Sequence, residues 1–162
     1  MTRDLVNFIY ELYHEDSEFR RKVESYHRDT KSTLILTVYT KEKAREEVEK
    51  FKHIIRDKVV LELGAGIGIL AMEMAKYAKF VVAIEKDPAW SWIFVRNHLY
   101  EKPRNLIFVF GDAEEFLKLF DSFRPDVVVI YSKSAIDHFI IMALAFRPKA
   151  IVLNGKLIFE EE

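Results

Sequence analysis

From Lys58 onward the chain alternates between short, almost wholly apolar runs and longer stretches of helical periodicity, and this alternation constrains the fold most. The apolar runs cover 59–63, 80–84, 106–110, 126–131 and 150–153, with helical patterns between them at about 67–78, 88–101, 113–120 and 134–146. A strand without a polar face is buried on both sides, as in parallel sheets whose crossover helices cover both faces. Right-handed crossovers then predict a doubly wound, mostly parallel α/β sheet. Asn154-Gly155 between two apolar runs signals a two-residue hairpin, so a sixth, antiparallel strand is expected over 156–159.

The first 56 residues read differently. Leu5, Phe8, Ile9, Leu12 and Tyr13 recur at helical spacing, and a more polar helix is expected from Ser17 to about Tyr26. Residues 33–39 read as a short strand or an apolar connector. Thr40 is an N-cap candidate for a charged helix running to about Ile55. No repeat or linker interrupts the chain. The expectation is one domain over 1–162, with a helical extension at 1–56 and a Rossmann-like core at 57–162.

The central motif is the run from Val59 to Leu70, in which Glu62 precedes Gly64, Gly66 and Gly68. A buried strand runs into a glycine loop and then a helix, so backbone N–H groups can approach a ligand closely. The dinucleotide fingerprint needs its third glycine where this chain has Ile69. A carboxylate at Glu62 suits a cationic ligand group and would repel a pyrophosphate, and no Gly-Lys-Ser/Thr follows the loop.

These residues resemble the first motif of the class I S-adenosylmethionine (SAM)-dependent methyltransferase superfamily, an acid followed by G-x-G-x-G. The resemblance runs from about Val59 to Phe159 and includes an acid after each of the next two strands, Glu85 and Asp112. It implies a SAM site formed by Glu62, Gly64, Ala65, Gly66, Gly68, Glu85, Lys86, Asp112 and Ala113. In that scheme Glu85 accepts from the ribose hydroxyls and Asp112 meets the adenine amino group. Asn97 also stands where the family often has an Asn. Each acid has another reading as well. Glu85, about 21 residues past Gly64, suits an NAD ribose. Asp112 with Glu115 fits a helix N-cap, and Glu62 an ordinary strand end.

The methyl acceptor is expected over the carboxyl end of the fourth strand, where Tyr131, Ser132 and Lys133 are the candidate catalytic residues. The Asp/Asn-Pro-Pro-aromatic motif of many nucleic-acid amino-methyltransferases is missing there. So are the paired glutamates of protein arginine methyltransferases, and cytosine C5 chemistry would need a cysteine. Asp137 and His138 could form a base pair, but Ser134-x-x-Asp137 also matches a capping box. Trp90 or Trp92 could cover the adenine or a planar substrate, but Trp90 also follows a core stripe with Ile93 and Phe94. His14, Tyr26 and His27 fall in the extension, and no spacing suggests a metal.

The function expected is methyl transfer to an unknown O or N acceptor by direct SN2 attack. The alternatives are a protein that binds SAM or S-adenosylhomocysteine without activity of its own, and a nicotinamide-dependent oxidoreductase. With a formal charge of −1, the chain carries no strong nucleic-acid signal, because Arg20, Arg21, Lys22, Arg28 and Lys31 are interleaved with acids. No apolar run approaches the roughly 20 residues of a membrane span. No secretory signal is evident, and the absence of cysteine fits a soluble cytoplasmic protein. Glutamine is absent too, a bias like that of proteins from hot environments. The superfamily usually ends in a further strand, so the sheet is expected to be short at one edge, where a partner or second copy could sit.

Overall fold

The computed structural model describes Ser17, Glu18, Arg21, Val38 and residues 40–162. Ser17, Glu18 and Arg21 are helical and Val38 has no regular structure. The other expectations for residues 1–37 lie outside the described residues.

The described chain runs α1 (Lys41–Ile55), β1 (Val59–Leu63), α2 (Ile69–Ala75), β2 (Phe80–Glu85), α3 (Pro88–Glu101), β3 (Leu106–Phe110), α4 (Ala113–Leu119), β4 (Val127–Ile130), α5 (Ile136–Ala145), β5 (Ala150–Leu153) and β6 (Lys156–Glu160). The strands form one sheet in the order β3-β2-β1-β4-β5-β6. All neighbours are parallel except β5 and β6, which the Asn154-Gly155 turn joins as an antiparallel hairpin.

Alternate residues of the central strands feed two cores. Val60, Val81, Val129 and Val152 face α1, α2 and α3. Leu61, Ile84, Ile130 and Ile151 face the other way, towards Met142 and Phe146, with Phe116 of α4 packed against them. Covering both faces explains why these strands lack a polar face. Helix α1 belongs to the first layer: Ala44, Val48, Phe51 and Ile55 form its buried stripe, and Thr40 accepts the Lys43 N–H at 3.0 Å as N-cap.

Strand order reverses between β1 and β4, which pair directly although the chain makes three crossovers between them, through α2, α3 and α4. The crossovers therefore diverge at the carboxyl ends of these strands and leave a crevice. Glu62 and Tyr131, near those ends, both line it.

One local expectation needs correction. Ser134 and Asp137 do not form a capping box: α5 starts after Ala135, which has φ +52°, and no side chain caps it. The Ser134 N–H instead donates to Ser132 Oγ at 3.2 Å, and Ser132 Oγ donates to the Ser134 carbonyl at 2.6 Å. A tight serine turn has taken the place of the cap.

Candidate functional site

The glycine loop closes the end of β1 and is held from two sides. Glu85, at the end of β2, accepts the Gly66 N–H at 2.7 Å with one carboxylate oxygen and the Asp87 N–H at 2.9 Å with the other. Asn97 of α3 donates to the Ile67 carbonyl at 3.0 Å, so this side chain braces the loop from behind. Gly68 begins α2 with φ +88°, and a Cβ there would come within 2.7 Å of the buried Phe94 ring. Only glycine satisfies both the left-handed backbone and that packing.

Of the nine residues implied as SAM contacts, Glu62, Gly64, Ala65, Gly66, Glu85, Lys86, Asp112 and Ala113 line one cavity. Gly68 does not; its role is the close approach of α2 to α3. Tyr131 and Ser132 line the same cavity and Lys133 does not. Trp90 is buried in the core and also reaches the cavity wall, whereas Trp92 is 59% exposed under the Arg96 guanidinium. From α5, His138, Phe139 and Met142 complete the wall. Asp137 is not part of it, so no Asp137–His138 pair faces the cavity.

The acids differ in their surroundings. Glu62 is 2% exposed, and its Oε2 has no hydrogen-bond partner. Burial pushes its carboxyl well above the ordinary carboxylate range, and the nearby Glu85 charge adds to this. Burial also raises Glu85, while the Asp87 and Gly66 N–H groups pull it back. Asp112 is the N-cap of α4 and accepts the Glu114 N–H at 2.8 Å, so the capping role read from D-x-x-E is real.

Sequence reasoning missed two partners of the β4 end. Glu47 of α1 is buried and accepts from Tyr131 Oη at 3.4 Å, with Lys50 at 2.5 Å and Lys43 at 3.4 Å from its carboxylate. Burial raises the Glu47 pKa, but the two lysines outweigh it and hold the group below its ordinary value. Burial and the Glu47 charge push the Tyr131 phenol far up, so this hydroxyl stays protonated. Asn154 clamps the next residue: its Oδ1 accepts the Ser132 N–H and its Nδ2 donates to the Ser132 carbonyl, both at 3.0 Å. Buried acid in an amphipathic helix was the only available signal for Glu47; Asn154 read only as a turn residue.

Among the described residues no group of His, Asp and Glu could hold a metal ion. No described helix is long and apolar enough to cross a membrane.

The TRM5/TYW2 methyltransferase domain family matches residues 29–154. An uncharacterised RNA methyltransferase of Staphylococcus aureus is 30% identical over 115 residues, covering 68% of this chain and 25% of that protein. Precorrin-6y C5,15-methyltransferase from Geobacter metallireducens superposes with a TM-score of 0.60 at 25% identity, covering 75% of this chain and 66% of that one. M. jannaschii TYW2, solved in complex with AdoMet, gives a TM-score of 0.56 at 25% identity, over 68% of this chain and 50% of that one. The chain thus spans about a quarter of the length of the curated relative. A relative named as an RNA methyltransferase conflicts with the expectation of no strong nucleic-acid signal. Net charge is a sum over the whole chain and does not register how one cleft selects its substrate.

Proposed function

The chain belongs to the TRM5/TYW2 methyltransferase domain family, whose members are SAM-dependent methyltransferases, and from this premise we propose that it transfers a methyl group from SAM to a nitrogen or oxygen of RNA. The observation that carries the reading is the convergence of Glu62, Glu85 and Asp112, each from the end of a different strand, on one cavity beside the glycine loop.

These residues fit the cofactor. Glu62 Oε2 is a buried acceptor without a partner, which suits the ammonium of the methionine tail. Each Glu85 oxygen takes one backbone N–H and keeps a lone pair for a ribose hydroxyl. Asp112 and Trp90 line the same cavity, which supports a reading in which Asp112 accepts from the adenine amino group and Trp90 supplies an aromatic wall. When bound, SAM supplies a methyl group already activated as a sulfonium. The protein's task is then to align the acceptor and to exclude water.

The acceptor side is formed by Ser132, Ser134, His138 and Phe139. Ser132 Oγ is engaged with Ser134, so the serine turn shapes the wall and is not a proton acceptor. Tyr131, with its proton held, orients and packs. His138 is the imidazole in the described wall, and it can take a proton from an RNA nitrogen during transfer. Work in the cytoplasm fits a chain without cysteine.

The test is transfer of labelled methyl from SAM to total tRNA and to ribosomal RNA by the purified protein. Label in RNA, reduced by Glu85→Ala, supports the reading. Label in protein or small molecules alone would move the acceptor class. The engaged hydroxyls at the end of β4 favour one second reading, a domain that binds SAM and completes its chemistry with another chain. That reading predicts tight cofactor binding with no transfer to any pool.

A further inference from the structure

Glu62 lies on β1 between Ala83 of β2 and Val129 of β4, with both neighbouring strands packed in register. Its side chain is in the apolar layer under α1, α2 and α3, yet it also lines the cavity. The ionisable groups around it are known by element among the described residues. Strand β2 contributes Glu85, and Asp87 and Lys86 follow it. Tyr131 follows β4 and carries the Glu47 carboxylate of α1 behind it, itself paired with Lys43 and Lys50. Asp112 comes from the start of α4 and His138 from α5, while α2 brings only the apolar Leu70 to the cavity. Among the described residues Glu62 has no ion pair, and the charge acting on it is the like charge of Glu85.

A buried carboxylate with an unpartnered oxygen and a second carboxylate nearby is unstable as an anion unless a cation arrives. We propose that Glu62 reads the ligand by proton exchange: in the ligand-free protein its carboxyl holds a proton, and the incoming ammonium displaces that proton to solvent. The inference rests on the SAM reading of the cleft and adds a stoichiometry to it. The bond changes balance simply. The Glu62 O–H bond breaks, the ammonium keeps its three N–H bonds, and the proton leaves to buffer. The exchange replaces a neutral acid by an ion pair, so the cleft never has to hold two unscreened carboxylates. A nucleoside without a charged tail leaves the Glu62 proton in place and gains no ion pair there.

The sign of the pH dependence follows. Binding that releases a proton tightens as pH rises, up to the pKa of the carboxyl in the ligand-free protein. The useful window lies below the pKa of the ligand's α-ammonium, where the ligand keeps its charge. Calorimetric titration with S-adenosylhomocysteine, repeated in buffers of different ionisation enthalpy, counts the protons directly. At pH values below the pKa of Glu62 in the ligand-free protein, release approaching one proton and a Kd that falls almost tenfold per pH unit are expected. In Glu62→Gln, which matches the protonated acid in shape and therefore folds, release disappears and the pH slope flattens. 5′-Methylthioadenosine, which has the ribose but lacks the amino-acid tail, should bind the wild type without release. S-adenosylhomocysteine binding without proton release overturns the proposal and leaves the cofactor reading intact. Release that persists in Glu62→Gln, or that methylthioadenosine also produces, assigns the proton to Glu85 and overturns it equally. Absence of any binding would sink the cofactor reading itself, and the exchange with it.

Discussion

On the glycine-loop wall of the cleft, side chains hold backbone groups of the loop: Glu85 at the end of β2 accepts the Gly66 and Asp87 N–H groups, and Asn97 of α3 donates to the Ile67 carbonyl. The wall at the end of β4 is held by side chains from α1 and from the β5–β6 turn. Tyr131 leans on Glu47, 84 residues earlier, and Ser132 on Asn154, 22 residues later. The first wall is a fixed backbone geometry with buried acids. The second is a loop whose shape depends on side chains borrowed from α1 and from the β5–β6 turn. A cofactor shared by a whole superfamily suits the rigid wall, and an acceptor particular to one member suits the borrowed one.

The largest expected effect breaks the rigid wall. Gly68→Ala should cost about 3 kcal/mol or more, because φ +88° is strained for alanine and the new methyl meets the Phe94 ring. Urea unfolding measures it, and a cost below about 1 kcal/mol would show that α2 and α3 can separate easily. Glu85→Ala should fold but bind S-adenosylhomocysteine about 10 to 100-fold more weakly, as loss of charged hydrogen bonds of about 1.5–3 kcal/mol implies. Next comes the response of the ligand-free protein to pH. The folded carboxyls of Glu62 and Glu85 are raised, so their contribution to stability is complete below the unfolded value of about 4.3 and is lost as pH rises through the folded one. Melting curves should therefore show Glu62→Gln gaining on the wild type as pH increases from acid to neutral.

Asn154→Gly tests the borrowed wall. Glycine accepts the φ of +48° but removes both bonds to Ser132, so stability should fall by about 1–2 kcal/mol. Its S-adenosylhomocysteine affinity should stay near wild type while methyl transfer to RNA falls. Equal losses in both would erase the distinction between the walls. Trp92→Ala, on the exposed face of α3, should change stability by less than about 0.5 kcal/mol and leave cofactor affinity alone.

The same difference explains what the sequence made legible. Glycines at positive φ are a local requirement, so the loop from Gly64 to Gly68 could be read from spacing, whereas Glu85 and Asp112 were reached through the resemblance to the superfamily. Strand alternation likewise exposed the parallel sheet and the Asn154-Gly155 hairpin. The contacts of Tyr131 and Ser132 could not be read, because nothing in a linear pattern pairs residue 47 with residue 131 or residue 154 with residue 132. Gly68 was legible as a special glycine but not as a packing glycine, since Phe94 lies on a different helix. The serine turn at 132–134 defeated the capping-box reading because a hydroxyl two residues away competed for the same N–H.

The most direct test of the central claim is calorimetric titration of the wild-type protein with S-adenosylhomocysteine, with NAD and Glu85→Ala as controls. Micromolar binding of S-adenosylhomocysteine, none of NAD, and severe weakening in the folded variant is the predicted result. Failure of the folded wild type to bind S-adenosylhomocysteine, or unchanged affinity in Glu85→Ala, would contradict the assignment of this cleft.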